Sequence, residues 1–235
     1  MSSVSKNSSD STLIEAVGLR KCYGAVEAFS AAAFSVREGD RIIVFGPNGG
    51  GKSTFLRTLA GVAVPTVGKL KIRSGLKRDR IGFLAQDGGF YPNLTLAQNI
   101  VLVRQLRFRR KPVDFRTMGF LEELGMARYL DRRLRTFSVG YQRLASFAIL
   151  LATEPKALIV DEPLTALDEA KSGAVRQFLE TISPNLQFLI GSHHIGSLPF
   201  SPNRIFTVDE NGIQERDSMP DNIDPARRSH GSDVL

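Results

Sequence analysis

The chain has 235 residues, 42% of them hydrophobic, which is enough apolar material for one large domain or two small domains with a buried core. A single cysteine, Cys22, excludes an internal disulfide framework, and no apolar run of the sequence approaches the roughly 20 residues of a membrane-spanning helix. The formal charge of +7 indicates either a solvated basic helix face or an anionic partner: nucleic acid, a membrane surface or a polyanionic ligand.

The two ends of the chain differ in composition from its middle. Residues 1–11 are serine-rich and polar and lack the apolar centre of a secretory signal, so they predict a disordered tail. Residues 216–235 are polar and contain two prolines, and they predict a second disordered tail. The segment between them, residues 12–215, is predicted to form a single domain.

A strand, a glycine-rich loop and a helix are predicted to follow one another around residue 50. The β-branched run Arg41–Phe45 is typical of a buried parallel strand. Apolar residues with helical spacing begin at Phe55 and stop at Gly61, which is a natural helix end. Between these elements stands FGPNGGGKST, with four glycines in ten residues. Bare backbone at a helix start can surround an anion with its own amide groups.

The spacing of this loop matches the P-loop pattern. Gly46 and Gly51 frame four residues and are followed by Lys52 and Ser53. Lys52 is expected to reach the β- and γ-phosphates of a nucleotide, and the Ser53 hydroxyl is expected to bind Mg²⁺. The predicted phosphate-binding residues are Gly46, Pro47, Asn48, Gly49, Gly50, Gly51, Lys52, Ser53 and Thr54.

A second predicted strand, from residue 157 to residue 161, ends in two carboxylates. Two ionised groups at the mouth of a parallel sheet are costly unless they have a function. We expect Asp161 to hold the magnesium ion that Ser53 also contacts, and Glu162 to polarise a water molecule for attack on the γ-phosphate. The alternative is a structural cap for a helix that starts at the strand end.

The glycine loop, the LIVDEP segment and the motif Phe137-Ser-Val-Gly-Tyr141 together resemble the nucleotide-binding subunit of ABC ATPases, from about Leu13 to Gln214. The resemblance implies an α/β fold, with a P-loop NTPase core that has a mostly parallel sheet. It also implies an N-terminal antiparallel β subdomain and an inserted helical subdomain at about residues 92–150. ATP and Mg²⁺ are the implied cofactors.

The resemblance also implies roles for single residues. Tyr23 corresponds to an aromatic residue that stacks on adenine. Gln86 corresponds to a glutamine that senses Mg²⁺ and links the site to a transport partner. Asp168 lies in a loop that touches a second subunit. His193 corresponds to a switch residue that contacts the γ-phosphate and acts with Glu162 and Gln86 in catalysis, whereas the adjacent His194 is expected to point elsewhere.

The motif at Ser138 is expected to serve a neighbouring molecule. Ser138 and Gly140 open a helix whose N-terminus is suited to a phosphate, but the chain already has its own P-loop. We therefore expect a second nucleotide-binding subunit, in a homodimer or a heterodimer, with ATP clamped between the two. Val139 and Tyr141 depart from the usual Leu-Ser-Gly-Gly-Gln motif and resemble the export-type branch. Leu144 replaces an arginine that is common in this helix.

The segment between Gln86 and Ser138 predicts helices. Thr95 and Gln98 form a capping-box pattern before one helix, and a second helix is predicted from Thr117 to Leu124. In the family this region forms a groove for an integral membrane subunit. The basic run from Arg104 to Lys111 is then expected to face anionic lipid headgroups.

Three interpretations of the function remain open at this stage. The first is an ATPase subunit of a membrane transporter, most consistent with export, located in the cytoplasm on the inner face of the cell membrane. The second is a soluble ABC ATPase, for example in cluster assembly. The third, a P-loop GTPase or kinase, is disfavoured because the sequence has no Asn-Lys-x-Asp motif. A nucleic-acid partner is not expected.

Overall fold

A computed structural model describes residues 12–73, 80–86, 88–108, 114–181, 186–193 and 200–218. It contains two β-sheets and five α-helices within these residues. The predicted tail at residues 1–11 and most of the one at 216–235 lie outside this part. Arg216, the first residue of the predicted C-terminal tail, is the last residue of a strand.

The smaller sheet is antiparallel and has the order β2-β1-β4. Its strands are β1 (Thr12–Tyr23), β2 (Val26–Arg37) and β4 (Val67–Ile72). In β1, buried Ile14 and Ala16 alternate with exposed Glu15 and Val17, as expected for a sheet with one face against the core. This sheet is the predicted N-terminal antiparallel subdomain.

The larger sheet has six strands in the order β5-β6-β7-β3-β8-β9. They are β3 (Arg41–Phe45), β5 (Ile81–Leu84), β6 (Ala157–Asp161), β7 (Gln187–Ser192), β8 (Arg204–Asp209) and β9 (Gly212–Arg216). The first five strands in this order pair in parallel and β9 pairs antiparallel with β8. All residues of β6 and β7 are buried, because helices or the smaller sheet cover both faces. The predicted mostly parallel sheet is confirmed.

The helices are α1 (Lys52–Leu59), α2 (Leu96–Phe108), α3 (Gly119–Glu123), α4 (Val139–Leu151) and α5 (Glu169–Thr181). α1 begins directly after the glycine loop and ends before Gly61, which has a φ of 74°. Both limits agree with the sequence prediction. Within the described residues, none of these helices has the length and apolar character needed to cross a bilayer.

The start of α2 confirms the predicted capping box. The backbone N–H of Thr95 donates to the side-chain oxygen of Gln98 at 2.9 Å, and the N–H of Gln98 donates to the Thr95 hydroxyl at 3.1 Å. The second predicted helix is shorter than expected. Phe115–Thr117 is a 3-10 turn, and Met118, with φ −94° and ψ 78°, interrupts the helical path before α3.

Two apolar clusters cover opposite faces of the larger sheet. Leu158 and Val160 pack with α2 to α5, whereas Ile159 packs with α1 and the antiparallel sheet. The alternation follows from the period of two along a strand. The larger sheet is thereby held between a helical layer and the antiparallel layer, with its strand ends left open at one edge.

The structure corrects the prediction for Arg104. This residue is only 4% exposed, and its Nη1 atom contacts the carbonyl oxygen of Ala152 and lies 3.2 Å from a carboxylate oxygen of Glu154. The guanidinium of Arg104 in α2 is held inside the protein by the Glu154 carboxylate at the end of α4. It therefore does not face a membrane. The side chain of Arg107 and residues 109–111 lie outside the described part, so their contact with lipid remains a prediction.

Candidate nucleotide-binding site

A cleft of about 550 Å³ lies beside the start of α1 and the carboxyl ends of β3, β6 and β7. Ligands bind at this edge in parallel sheets. The predicted residues that line it are Tyr23, Asn48, Gly49, Gly51, Lys52, Ser53, Thr54, Gln86, Asp161, Glu162 and His193. Four further lining residues were not predicted, namely Val26, Glu27, Ala28 and Thr165. Gly46, Pro47 and Gly50 complete the glycine loop.

The glycine loop approaches backbone from both sheets too closely for side chains. Gly51 has a φ of 91°, and a Cβ atom there would lie 1.9 Å from the carbonyl oxygen of Ala28 in β2. A Cβ atom on Gly46 would lie 2.9 Å from the Cβ of Val208 in β8. These contacts explain the glycines at both ends of the P-loop pattern. They leave the backbone amides of the loop at the start of α1, where an anion is favoured.

Lys52 supplies a buried cation to the loop. Its side-chain nitrogen donates hydrogen bonds of 2.8 Å to the carbonyl oxygens of both Gly46 and Pro47. Burial lowers the pKa of Lys52, and the negative charges of Glu162 and Asp161 oppose this effect. The ammonium group of Lys52, bonded to loop carbonyls and with two carboxyl groups nearby, lies where it can contact a polyphosphate.

Asp161 is the most deeply buried carboxyl group of the cleft. It is 1% exposed, and neither of its carboxylate oxygens accepts a hydrogen bond of normal geometry within the described residues. Burial raises the pKa of Asp161, the nearby Ser53 hydroxyl lowers it, and the charge of Glu162 raises it. Unsatisfied buried oxygens beside a hydroxyl fit Mg²⁺, which prefers oxygen ligands. Gln86 lines the same cleft from the end of β5.

Glu162 follows directly and has an unusual backbone conformation. Its φ is 50°, in the left-handed region that non-glycine residues seldom occupy. The Glu162 N–H donates to the carbonyl oxygen of Gly191 at 2.9 Å, and an oxygen of its carboxyl group lies 2.7 Å from Nδ1 of His193. Strain at such a position is typical of functional sites. His194 lies outside the described residues.

Sequence reasoning missed Arg143, which reaches this site from α4. The side chain is 5% exposed and donates to backbone carbonyls at the ends of β5 and β6. The sequence prediction noted only that the following residue, Leu144, is not an arginine; Leu144 is in fact buried in the apolar core. A lone cation in an otherwise apolar helix stretch was the only signal available.

The residues predicted to serve a second molecule do not line the cleft within the described part of the chain. Ser138 is exposed at the start of α4, and Gly140 packs against Lys171, whose Cδ would lie 3.1 Å from an added Cβ atom. Asp168 accepts a hydrogen bond of 3.0 Å from the Lys171 N–H at the start of α5 and also pairs with the Lys171 ammonium group. Tyr141 stacks edge-on against Tyr129.

Comparisons with known proteins identify a family and several relatives of the chain. A family model described as ABC transporter matches residues 29–165. A molybdenum import ATP-binding protein, ModC of Mycobacterium tuberculosis H37Rv, is 28% identical over 220 residues, which cover 86% of this chain and 60% of that protein. A glutamate/aspartate import ATP-binding protein, GltL of Escherichia coli K12, is 24% identical over 236 residues, which cover 95% and 98% of the two chains.

Solved structures show the same fold. The ATP-binding cassette MJ0796, in a dimeric post-hydrolysis state bound to ADP and Pi, superposes with a TM-score of 0.74 at 24% identity, over 87% of this chain and 98% of that one. The chain spans about 60% of the length of the molybdenum import relatives that it matches. Because the family model matches more than half of its length, the chain belongs to the ABC transporter family and carries the family's ATPase domain, whose cofactors are ATP and Mg²⁺.

Proposed function

We propose that the chain binds and hydrolyses ATP as the nucleotide-binding subunit of a membrane transporter. The observation that carries this proposal is the convergence of Lys52, Asp161 and Glu162 on one cleft beside the glycine loop. Each group then has a distinct task. Lys52 and the loop amides hold phosphate oxygens, Asp161 with Ser53 holds Mg²⁺, and Glu162 accepts a proton from the attacking water.

The other residues that line the cleft complete the proposed site. Tyr23 is 58% exposed at its rim and offers a ring face to adenine. Gln86 approaches the Mg²⁺ position from β5, and His193 orients the Glu162 carboxyl group and contacts the γ-phosphate. ATP supplies the phosphoryl group when bound, and Mg²⁺ neutralises part of its charge.

A second nucleotide-binding subunit is part of the proposal. Ser138, Gly140 and Asp168 lie at the starts of α4 and α5 and do not line the cleft among the described residues. A helix start that is exposed and free of acidic residues in its first turn suits a phosphate held by another molecule. We therefore propose that two subunits close around ATP and separate after hydrolysis.

We further propose that the chain docks on an integral membrane subunit at the cytoplasmic face of the membrane. The relatives described above are import ATP-binding proteins, so they favour import over the export direction that the Ser138 motif suggested. The alternative of a soluble assembly ATPase gains no support from them.

Phosphate release by the purified chain, measured against protein concentration, tests the central proposal. Specific activity should rise as subunits associate, and light scattering should detect dimers with Mg-ATP. Brisk hydrolysis by monomers at high dilution would contradict it.

Co-purification from detergent-solubilised membranes tests the docking: we expect a polytopic protein to accompany the chain, whereas a purely soluble complex would exclude transport.

The direction of transport requires a separate measurement. We expect cells that lack the chain to take up less radiolabelled molybdate, glutamate or aspartate than cells that produce it. Restoration by the wild-type chain, but not by a Lys52→Met variant, would support import. Equal uptake of all these solutes in both cell types would argue against import of this solute class.

A further inference from the structure

Arg143 connects three separate elements with one guanidinium group. It lies in α4, and its Nη1 atom donates to the carbonyl oxygens of Ala85 at 2.6 Å and Gln86 at 3.2 Å. Its Nη2 atom donates to the carbonyl oxygens of Asp161 at 2.6 Å and Glu162 at 2.8 Å. The side chain therefore ties the ends of β5 and β6, which carry groups of the cleft, to the helix that begins at the Ser138 motif.

The geometry of these contacts suits arginine alone. Carbonyl oxygens from two strands are met by two different nitrogens of one planar group, which a lysine ammonium cannot reproduce because it is a compact point donor. The side chain is 5% exposed, and its guanidinium lies 5.8 Å from the ring centre of Phe147 in the same helix. Burial of this cation is compensated by charge-assisted hydrogen bonds to the four carbonyls.

The hydrogen bond from Arg143 to Glu162 restrains an unusual backbone conformation. A residue with a φ of 50° relaxes unless its neighbours hold it, since such a conformation costs about 1–3 kcal/mol. Glu162 is held on both sides, because its N–H donates to the carbonyl oxygen of Gly191 and its own carbonyl oxygen accepts from Arg143. Loss of the guanidinium would leave the Glu162 carbonyl oxygen with the longer 3.3 Å hydrogen bond from the Thr165 N–H, and would release the backbone of Gln86 at the same time.

We propose that Arg143 is a positioning residue that fixes the Glu162 carboxylate and the Gln86 side chain relative to each other and to the Ser138 end of α4. This inference rests on the proposed ATPase function and deepens it. Arg143 does not touch nucleotide; it acts through the backbone of residues that do. A shift of α4, for example when a second subunit contacts Ser138, is transmitted by the same guanidinium to the groups that activate water.

The test compares two buried arginines at opposite ends of α4. Arg143 lies in the first half of α4, and Arg104 reaches the other end of α4 from α2. Arg143→Gln should lower kcat by roughly 10-fold to 100-fold, the usual effect of a displaced catalytic group, while KM and the binding of a fluorescent ATP analogue change by less than about threefold. Arg104→Gln is the control, because Arg104 is 4% exposed and contacts a carbonyl oxygen and a carboxylate at the far end of α4. It should lower the melting temperature but leave kcat within about twofold of wild type.

Hydrogen exchange of the nucleotide-free protein provides a readout that is independent of turnover. In Arg143→Gln, the amides of residues 85–86 and 161–162 should exchange faster together, and those segments should not change in Arg104→Gln. Arg143→Lys, which keeps the buried charge, should show the same exchange and the same loss of kcat. Millimolar guanidinium should restore part of the activity of Arg143→Ala, whereas ammonium should not.

Two outcomes would overturn the proposal. One is a wild-type kcat in a folded Arg143→Gln or Arg143→Lys protein; the other is a loss of kcat without faster exchange at the two strand ends. If the wild type and Arg104→Gln both fail to hydrolyse ATP, the proposed function is wrong instead. The two failures are thus distinguishable in one set of proteins.

Discussion

The Nδ1 atom of His193 lies 2.7 Å from Oε1 of Glu162, so the residues that directly follow two neighbouring parallel strands, β6 and β7, share one contact at the mouth of the cleft. The imidazole has 29% of its side chain exposed, whereas the carboxyl group has only 10%. The exposed partner can therefore respond to a ligand in the cleft while the buried one keeps its orientation.

Glu162→Gln should slow ATP hydrolysis by a few hundredfold and allow an ATP-bound dimer to accumulate. The amide cannot take the proton of the attacking water, and the loss of one well-aimed group typically costs about 3–4 kcal/mol. Phosphate release and light scattering with Mg-ATP measure the two effects. Glu169→Gln is the control, since this carboxyl group is exposed and its ion pair with Arg176, at 2.9 Å, lies in α5. Hydrolysis at the wild-type rate would refute the role of Glu162 as base.

Lys52→Met should abolish tight binding of ATP, because methionine fills similar space but supplies no cation to the phosphates. The loss should exceed about 10-fold in the dissociation constant of a fluorescent ATP analogue, as expected for a charge-assisted contact worth at least 1.4 kcal/mol. Lys71→Met is the control, since Lys71 is an exposed residue of β4 whose ion pair with Glu15 is 3.4 Å long. Unchanged binding in the Lys52 variant would exclude this lysine from the phosphate site.

Asp161→Asn should raise the melting temperature of the nucleotide-free protein at pH 7. The pKa of Asp161 is raised mainly by burial, so the ionised form destabilises the folded state at neutral pH. A group whose pKa is raised in the folded state stabilises that state when it is protonated. This contribution is fully present at a pH below the pKa of the group in the unfolded chain. The advantage of asparagine should therefore shrink as the pH falls through the raised pKa of Asp161 towards the ordinary range of aspartate.

Mg-ATP should reverse the order of thermal stability of Asp161→Asn and the wild type. With Mg-ATP the wild type should gain thermal stability, whereas Asp161→Asn should gain little, because the amide is a poor ligand for the ion. Calorimetry at several pH values, with and without Mg-ATP, measures both effects. Asp131→Asn, at an exposed position of the helical part, should behave like wild type. A nucleotide-free Asp161→Asn protein that is less stable than wild type at pH 7 would contradict the argument from burial.

Gly51→Ala should destabilise the protein and impair ATP binding. The new Cβ atom would lie 1.9 Å from the carbonyl oxygen of Ala28, and the φ of 91° disfavours any side chain. Gly173→Ala in α5 is the matched control, because a Cβ atom there meets nothing within 4 Å and no positive φ is required. It should stabilise the protein by about 0.5–1 kcal/mol through helix propensity. Urea unfolding of both variants decides the comparison; equal effects would mean that the loop tolerates side chains.

Tyr23→Ala should weaken ATP binding, and Tyr23→Phe should preserve it, if the ring stacks on adenine. Loss of a stacked ring costs about 1–3 kcal/mol, which corresponds to roughly 5-fold to 150-fold in affinity. The triphosphate alone should bind both variants like wild type, since the phosphate contacts come from the loop. An alanine variant with wild-type ATP affinity would remove Tyr23 from the site.

The parts of the fold and of the site that are local in sequence could be predicted from the chain. The strand before Gly46, the helix after it and the capping box at Thr95 each depend on neighbouring residues, and the structure confirms them. Glu162 could be placed at a strand end, but its left-handed backbone depends on Gly191, which is distant in sequence. Local patterns do not reveal such long-range restraints.

The two buried arginines illustrate the limit most clearly. The sequence predicts Arg104 on a basic surface because it begins a run of cations, yet its partners are at the end of a different helix. Arg143 was overlooked because its partners are carbonyl oxygens, which every residue carries and no sequence pattern marks. The burial of a long cationic side chain is decided by the packing of elements, which a single sequence does not specify.

The glycine loop is wedged between β2 and β8, through Gly51 against Ala28 and Gly46 against Val208. One wall therefore comes from β2 and the other from β8, which follows much later in the chain, so β8 must be synthesised before the loop acquires its shape. Such non-local assembly is slow compared with local helix formation. A nascent chain released before β8 is synthesised should therefore not bind ATP. Premature termination would yield an inactive fragment that does not hydrolyse ATP.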